Sequence, residues 1–149
     1  MGRQPRCNLP EFGAFHVINR GVDRQAIYRD DEDWLFFTML LRRAAANFGW
    51  TLAAYVLMTN HFHLIVIGEL ERLSRGMHSL SFRYATNFND RHARTGHLFQ
   101  GRFGAKSIEG DEYLERVCAY VLANPVRAGL CDRFEDWPWL GGELVDDLR

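Results

Sequence analysis

Two histidines and a tyrosine–asparagine pair are the side chains here whose types and spacing could do chemistry. His61 and His63 lie two apart in the apolar, β-rich run His61-Phe62-His63-Leu64-Ile65-Val66-Ile67. On a strand both imidazoles leave one face while Phe62 points to the opposite, buried one. Two imidazoles at this spacing can hold one metal ion, although such a pair is also compatible with ordinary surface or hydrogen-bonded histidines. Tyr120 and Asn124 lie four apart in a helical segment, so they stand side by side, roughly 5–6 Å between Cβ atoms. An amide oxygen at Asn124 could complete a metal site and leave Tyr120 beside it as a nucleophile. Taken singly, Tyr120 reads more simply as a half-buried core tyrosine and Asn124-Pro125 as a helix-ending turn.

The elements that must position these residues can be read along the chain. Residues 14–19 (AFHVIN) alternate as a first strand, ended by a turn at Arg20-Gly21. The acidic run at residues 30–33 opens a helix that continues to about Phe48 and is closed by Gly49. Residues 50–58 and 61–67 are two apolar runs separated by Thr59-Asn60, which predicts a tight hairpin. Leu73, Met77, Leu80, Tyr84 and Phe88 mark one face of a second helix ending near Asn89-Asp90. Residues 96–108 read as a glycine-punctuated loop leading into a strand. Residues 111–124 form a last helix with Asp111 as N-cap and Pro125 imposing the stop. The order β-α-β-β-α-β-α predicts an α+β, ferredoxin-like (split βαβ) fold, an antiparallel sheet with helices packed on one face. A single domain is expected over residues 1–149, with a core of about 13–130 and a tail, 131–149, whose Pro-Trp-containing part from Asp136 onward reads as a surface extension.

Composition narrows the partners. With 47% hydrophobic and 25% charged residues, the chain has globular proportions, and no segment approaches the roughly 18 unbroken apolar residues of a membrane span. Nothing near the N-terminus reads as an export signal, and Cys7, Cys118 and Cys131 have no metal-site spacing, so a cytoplasmic protein without disulfides is expected. The net charge of −1 is unevenly spread. Residues 72–107 carry seven basic side chains (Arg72, Arg75, Arg83, Arg91, Arg94, Arg102, Lys106) against Asp90, a net of +6, whereas residues 130–149 net −4. The chain holds 17 arginines and one lysine, and the planar guanidinium grips two phosphate oxygens at once. A solvated arginine-rich surface has the same composition.

The sequence resembles a family at four places. Tyr55-Val56-Leu57-Met58-Thr59-Asn60-His61-Phe62-His63-Leu64-Ile65 resembles the histidine-hydrophobic-histidine ("HUH") motif of single-tyrosine transposases. Asn19-Arg20-Gly21 with Arg24 and Ile27-Tyr28, then Gly96-His97-Leu98-Phe99-Gln100-Gly101-Arg102-Phe103, then Tyr120-Val121-Leu122-Ala123-Asn124-Pro125-Val126-Arg127-Ala128-Gly129-Leu130 resemble the subgroup associated with repetitive extragenic palindromes (REP). The likeness runs from about Phe15 to Trp139. Thr59 departs from it, standing where the subgroup usually has proline, and Trp137-Pro138-Trp139-Leu140-Gly141-Gly142 departs where relatives usually show serines.

The resemblance implies a nuclease-ligase for single-stranded or hairpin DNA that works with Mg2+ or Mn2+. It makes His61, His63 and Asn124 the metal ligands and Tyr120 the nucleophile that forms a 5′-phosphotyrosine linkage. DNA contacts are expected from Arg20, Arg24, Arg83, Arg91, Arg94, Arg102 and Lys106, with no membrane partner. Monomer and homodimer both remain open. Two other classes fit the residues: a non-catalytic nucleic-acid module that stacks bases on exposed aromatics, the chain being 13% aromatic, and a metal-dependent hydrolase in which the histidines activate water and Tyr120 orients substrate.

Overall fold

The computed structural model describes Pro5 and residues 8–146, so Cys7 lies outside the described residues. Strand β1 (Phe12–Arg20) leads through a short 3-10 turn (Val22–Arg24) to helix α1 (Asp31–Phe48). The hairpin β2 (Thr51–Leu57) and β3 (His61–Glu69) follows, then α2 (Leu70–Arg91), β4 (Gly104–Ile108) and α3 (Asp111–Leu122). The chain ends in α4 (Asn124–Arg127), a 3-10 turn (Phe134–Asp136), β5 (Leu140–Gly141) and α5 (Glu143–Asp146). The five strands form one antiparallel sheet in the order β4-β1-β3-β2-β5. The first four, with α1 and α2, reproduce the split βαβ arrangement read from the sequence.

The sheet is buried on both faces. Phe15, Val17, Phe62, Leu64 and Val66 pack against Phe37, Leu41, Leu73, Met77, Tyr84 and Phe88 of α1 and α2. The opposite face carries Val56 and Ile65 against Cys118, Val121 and Leu122 of α3. The two helices of the split βαβ unit thus share one face, as expected, and α3 covers the other. His61 and His63 project away from Phe62, and α3, which carries Tyr120, packs on their side of the sheet.

Local chemistry explains the helix ends. The Asp30 side chain accepts from the Asp33 N–H at 3.0 Å to cap α1, whose first turn holds three acids, and Gly49 ends it at φ 70°. Helix α3 departs from the expectation at both termini. Its N-cap is Gly110, at φ 88°, a conformation glycine adopts freely, and Asp111 is the first helical residue. Pro125 does not end helical rotation either. Ala123 stays near helical at φ −78° and ψ −8°, and Pro125 opens the α4 turn, where its missing N–H costs nothing.

The tail is no surface extension. Leu140-Gly141 of β5 pairs with Tyr55-Val56 of β2, and Leu140 and Val145 are buried. The Trp139 ring stacks on Trp34 at 5.2 Å and 4°, the Trp137 indole N–H donates to the Leu57 carbonyl at 3.0 Å, and the Trp34 indole N–H donates to the Met58 carbonyl at 3.1 Å. Three tryptophans therefore hold the end of β2 from which the chain turns into His61.

Candidate active site

The turn between β2 and β3 is tied to the end of β1, and these ties set the histidines. Gly21 N–H donates to the Asn60 carbonyl and Ile27 N–H to the Thr59 carbonyl, each at 2.9 Å. The Asn60 side-chain amide donates to the Arg24 carbonyl at 3.1 Å, which leaves its Oδ1 turned to His61 Nδ1 at 2.7 Å. An amide oxygen only accepts, so His61 carries its proton on Nδ1 and keeps the Nε2 lone pair. His63 is buried, its Nδ1 lying 2.9 Å from Nε2 of the buried His16. Asp23 and Arg24 adopt left-handed φ of 53° and 59°, strain that the Asn60 bond to Arg24 helps to hold.

All three rings are biased toward the neutral form. Burial, then the Arg20 charge, lowers the His61 pKa. Burial, then His16, His61 and Arg127, pushes His63 down to about 3. Burial, then Lys106, pushes His16 down to about 4. Neutral imidazoles retain the lone pair that a metal needs.

Tyr120 and Asn124 come from the other side of the same cleft, a cavity of about 1120 Å³ whose walls include His16, Arg20, Arg24, Asn60, His61, His63, Gln100, Arg102, Lys106, Tyr120 and Asn124. Tyr120 is 54% exposed, not half-buried core. The Arg127 guanidinium lies over that ring at 4.2 Å and donates to the Tyr120 carbonyl at 2.8 Å. The Asn124 Nδ2 is buried without a protein partner. The residue lines the cleft, and its amide oxygen is a hard ligand atom of the kind a divalent cation takes.

A family model of IS200-like transposases matches residues 13–124, from β1 to the asparagine of the cleft. The chain belongs to the IS200-like transposase family. No curated protein matches the sequence. The fold of this transposase is similar to that of a REP-associated tyrosine transposase bound to a REP hairpin. The two share 18% identity over 94% of this chain and 82% of that one, at a TM-score of 0.69. A transposase-like protein from Deinococcus radiodurans R1 is similar at 16% identity and a TM-score of 0.52, over 81% of this chain and 95% of that one.

Of the DNA-contacting residues expected from the sequence, four line the cleft of this transposase: Arg20, Arg24, Arg102 and Lys106. Arg20 is steadied by Gln100 Oε1, at 3.1 and 2.8 Å from its Nε and Nη2. Arg83 is exposed on α2, away from this cleft. Arg91 is occupied by Asp30, Glu32 and the fully buried Asp33. Arg94 braces the loop, donating to Asn89 Oδ1 at 3.0 Å and to the His97 carbonyl at 2.7 Å. Asp30, Asp33 and His92 also sit close enough to hold a cation, but Arg91, His92 and the Arg29 N–H already engage the Asp33 carboxylate. That cluster is an ion-pair network joining the start of α1 to the end of α2.

Sequence reasoning missed His16, Asn60, Gln100 and Arg127. Arg127 follows Tyr120 by seven residues, two helical turns, which was a usable signal. His16 had none, since its approach to His63 depends on which strands pair: Ile18 lies opposite His63 in the β1–β3 register. Among the described residues no helix is long and apolar enough to cross a membrane.

Proposed function

We propose that this transposase nicks and rejoins single-stranded DNA at the foot of a hairpin through a Tyr120 phosphotyrosine. One observation carries the reading: His61 and His63 from β3, and Tyr120 and Asn124 from α3 and α4, line one cleft with Arg20, Arg24, Arg102 and Lys106. The residues fit a divalent cation: two neutral imidazoles, one with its tautomer set by Asn60, and an amide whose buried Nδ2 has no hydrogen-bond partner. His61, His63 and Asn124 would hold it, and magnesium or manganese there would offset charge on the non-bridging oxygens of the scissile phosphate. Zinc or copper would bind such nitrogen ligands more tightly, so the choice of ion rests on the phosphate chemistry.

The Tyr120 hydroxyl attacks phosphorus, the bond from phosphorus to the 3′ oxygen breaks, and the proton given up by Tyr120 ends on the released 3′-hydroxyl. The 5′-phosphotyrosine bond conserves the energy of the broken one, so attack by a 3′-hydroxyl reverses the step and joins DNA. Arg127 confines the Tyr120 ring, and the cleft arginines and Lys106 seat the backbone phosphates. A second, mostly apolar cleft shares Asn19, Gly101 and Arg102 with the first and carries the exposed Phe82. Bases beside the scissile phosphate can lie there. The hairpin on the REP-associated relative supports hairpin DNA as substrate, and a protein acting on such DNA works in the cytoplasm.

The test is to incubate the protein with hairpin-bearing single-stranded oligonucleotides and manganese and to resolve the products on a denaturing gel. A protein–DNA adduct that disappears in Tyr120→Phe is expected. Cleaved ends free of protein would favour the hydrolase reading, and binding without cleavage the non-catalytic one.

A further inference from the structure

Resting on the metal-site reading above, we propose that His16 is a positioning residue that sets the tautomer and ring orientation of His63. The two imidazoles are buried and meet edge to edge, with centroids 5.2 Å apart and planes at 24°. Their contact joins His16 Nε2 to His63 Nδ1 at 2.9 Å.

Two neutral rings in such contact have one donor and one acceptor, which allows two arrangements. If His16 donates, the His63 proton sits on Nε2 and that nitrogen has no lone pair to give. If His63 donates from Nδ1, its Nε2 becomes the ligand atom. Only the second arrangement lets His63 bind a cation. His61 needs no such help from His16, because Asn60 Oδ1 already takes its Nδ1 proton. The two candidate ligands thus have separate orienting partners, a turn asparagine for one and a strand histidine for the other.

The experiment measures manganese affinity by calorimetry in wild type, His16→Phe and His16→Gln, with folding checked by thermal melts in chelator. Phenylalanine keeps a flat ring in the buried site but has no acceptor, and it should weaken manganese binding by about 10–100-fold. Glutamine can place an amide oxygen near the position of Nε2 and should recover most of that loss. Unchanged affinity in a folded His16→Phe protein overturns the inference while leaving the metal site standing. Failure of the wild type to bind manganese overturns the metal-site reading and the inference with it. If His16→Phe does not fold, nitrogen-15 NMR of zinc-loaded wild type decides: a proton on His63 Nδ1, coupled to His16 Nε2, is expected, and a bare Nδ1 overturns the proposal.

Discussion

The guanidinium of Arg127 lies over the ring of Tyr120, 4.2 Å from its centroid, and donates back to the Tyr120 carbonyl. A side chain two turns further on thereby restricts where an exposed phenol can point. Tyr120→Phe should abolish the DNA adduct and leave hairpin affinity within a few-fold. Arg127→Ala should slow adduct formation by about tenfold or more, the scale on which misplacement of a reacting group acts. Single-turnover gels measure both. Undiminished adduct in Tyr120→Phe would remove Tyr120 from the nucleophile's role and bring forward Tyr113, seven residues earlier on α3.

His61 and His63 should be needed together. Alanine at either is expected to remove cleavage and the stabilisation that manganese gives to the thermal melt. Phe62, between them, is fully buried on the other face, so Phe62→Ala should instead cost about 3–5 kcal/mol in urea unfolding. Manganese binding unchanged in the His61→Ala, His63→Ala double variant would show that the ion sits elsewhere.

The arginines should divide into two groups. Arg20, Arg24, Arg102 and Lys106 line the cleft, and each alanine change there should flatten the salt dependence of hairpin affinity by roughly one unit. Arg91 is tied to Asp30, Glu32 and Asp33, so its loss should lower the melting temperature and leave the salt slope alone. Asp33→Ala, which strips the partner from Arg91, His92 and the Arg29 N–H, should cost about 3 kcal/mol or more. A salt slope altered by Arg91→Ala as much as by Arg102→Ala would reverse this division.

Alkaline pH should unfold the protein through two buried tyrosines. Burial, with the nearby Asp33 carboxylate, raises the hydroxyl pKa of both Tyr28 and Tyr84 above the ordinary 10.0, and Tyr84 donates to the Ile27 carbonyl. The folded state holds protons that the unfolded chain releases, so this contribution to stability is full below pH 10 and is lost as pH rises above it. Urea midpoints between about pH 9 and 11 should fall, less steeply in Tyr84→Phe. Equal slopes in the two proteins would assign the alkaline loss to other groups.

The tail should stabilise the hairpin that carries the histidines. Trp139→Ala removes the stack on Trp34 and should cost about 2 kcal/mol, the ring being only partly buried. Gly142 has φ 116°, and a Cβ there would meet the Ala53 carbonyl oxygen at 2.5 Å, so Gly142→Ala should detach β5 from β2. Faster hydrogen exchange at Leu57 and Met58 would register both changes. Normal protection there in the variants would make the tail a passive cover.

The nature of the candidate chemistry was legible in the residues themselves. Alternation put His61 and His63 on one strand face with Phe62 on the other, and helical spacing put Asn124 next to Tyr120, because both periodicities are properties of the local backbone. Capping residues and the apolar stripe of α2 similarly located the first helix and the second. Whatever depended on partners distant in sequence came only with the tertiary structure. Strand pairing brought His16 to His63, the ion pairs with α1 took Arg91 out of the cleft, and the pairing of β2 with β5 turned an apparent tail into a strand. Placing α3 on the histidine face was of the same kind. A helix's apolar stripe records that it must be covered, but not which of two buried sheet faces covers it, and that choice is set by packing across the whole molecule.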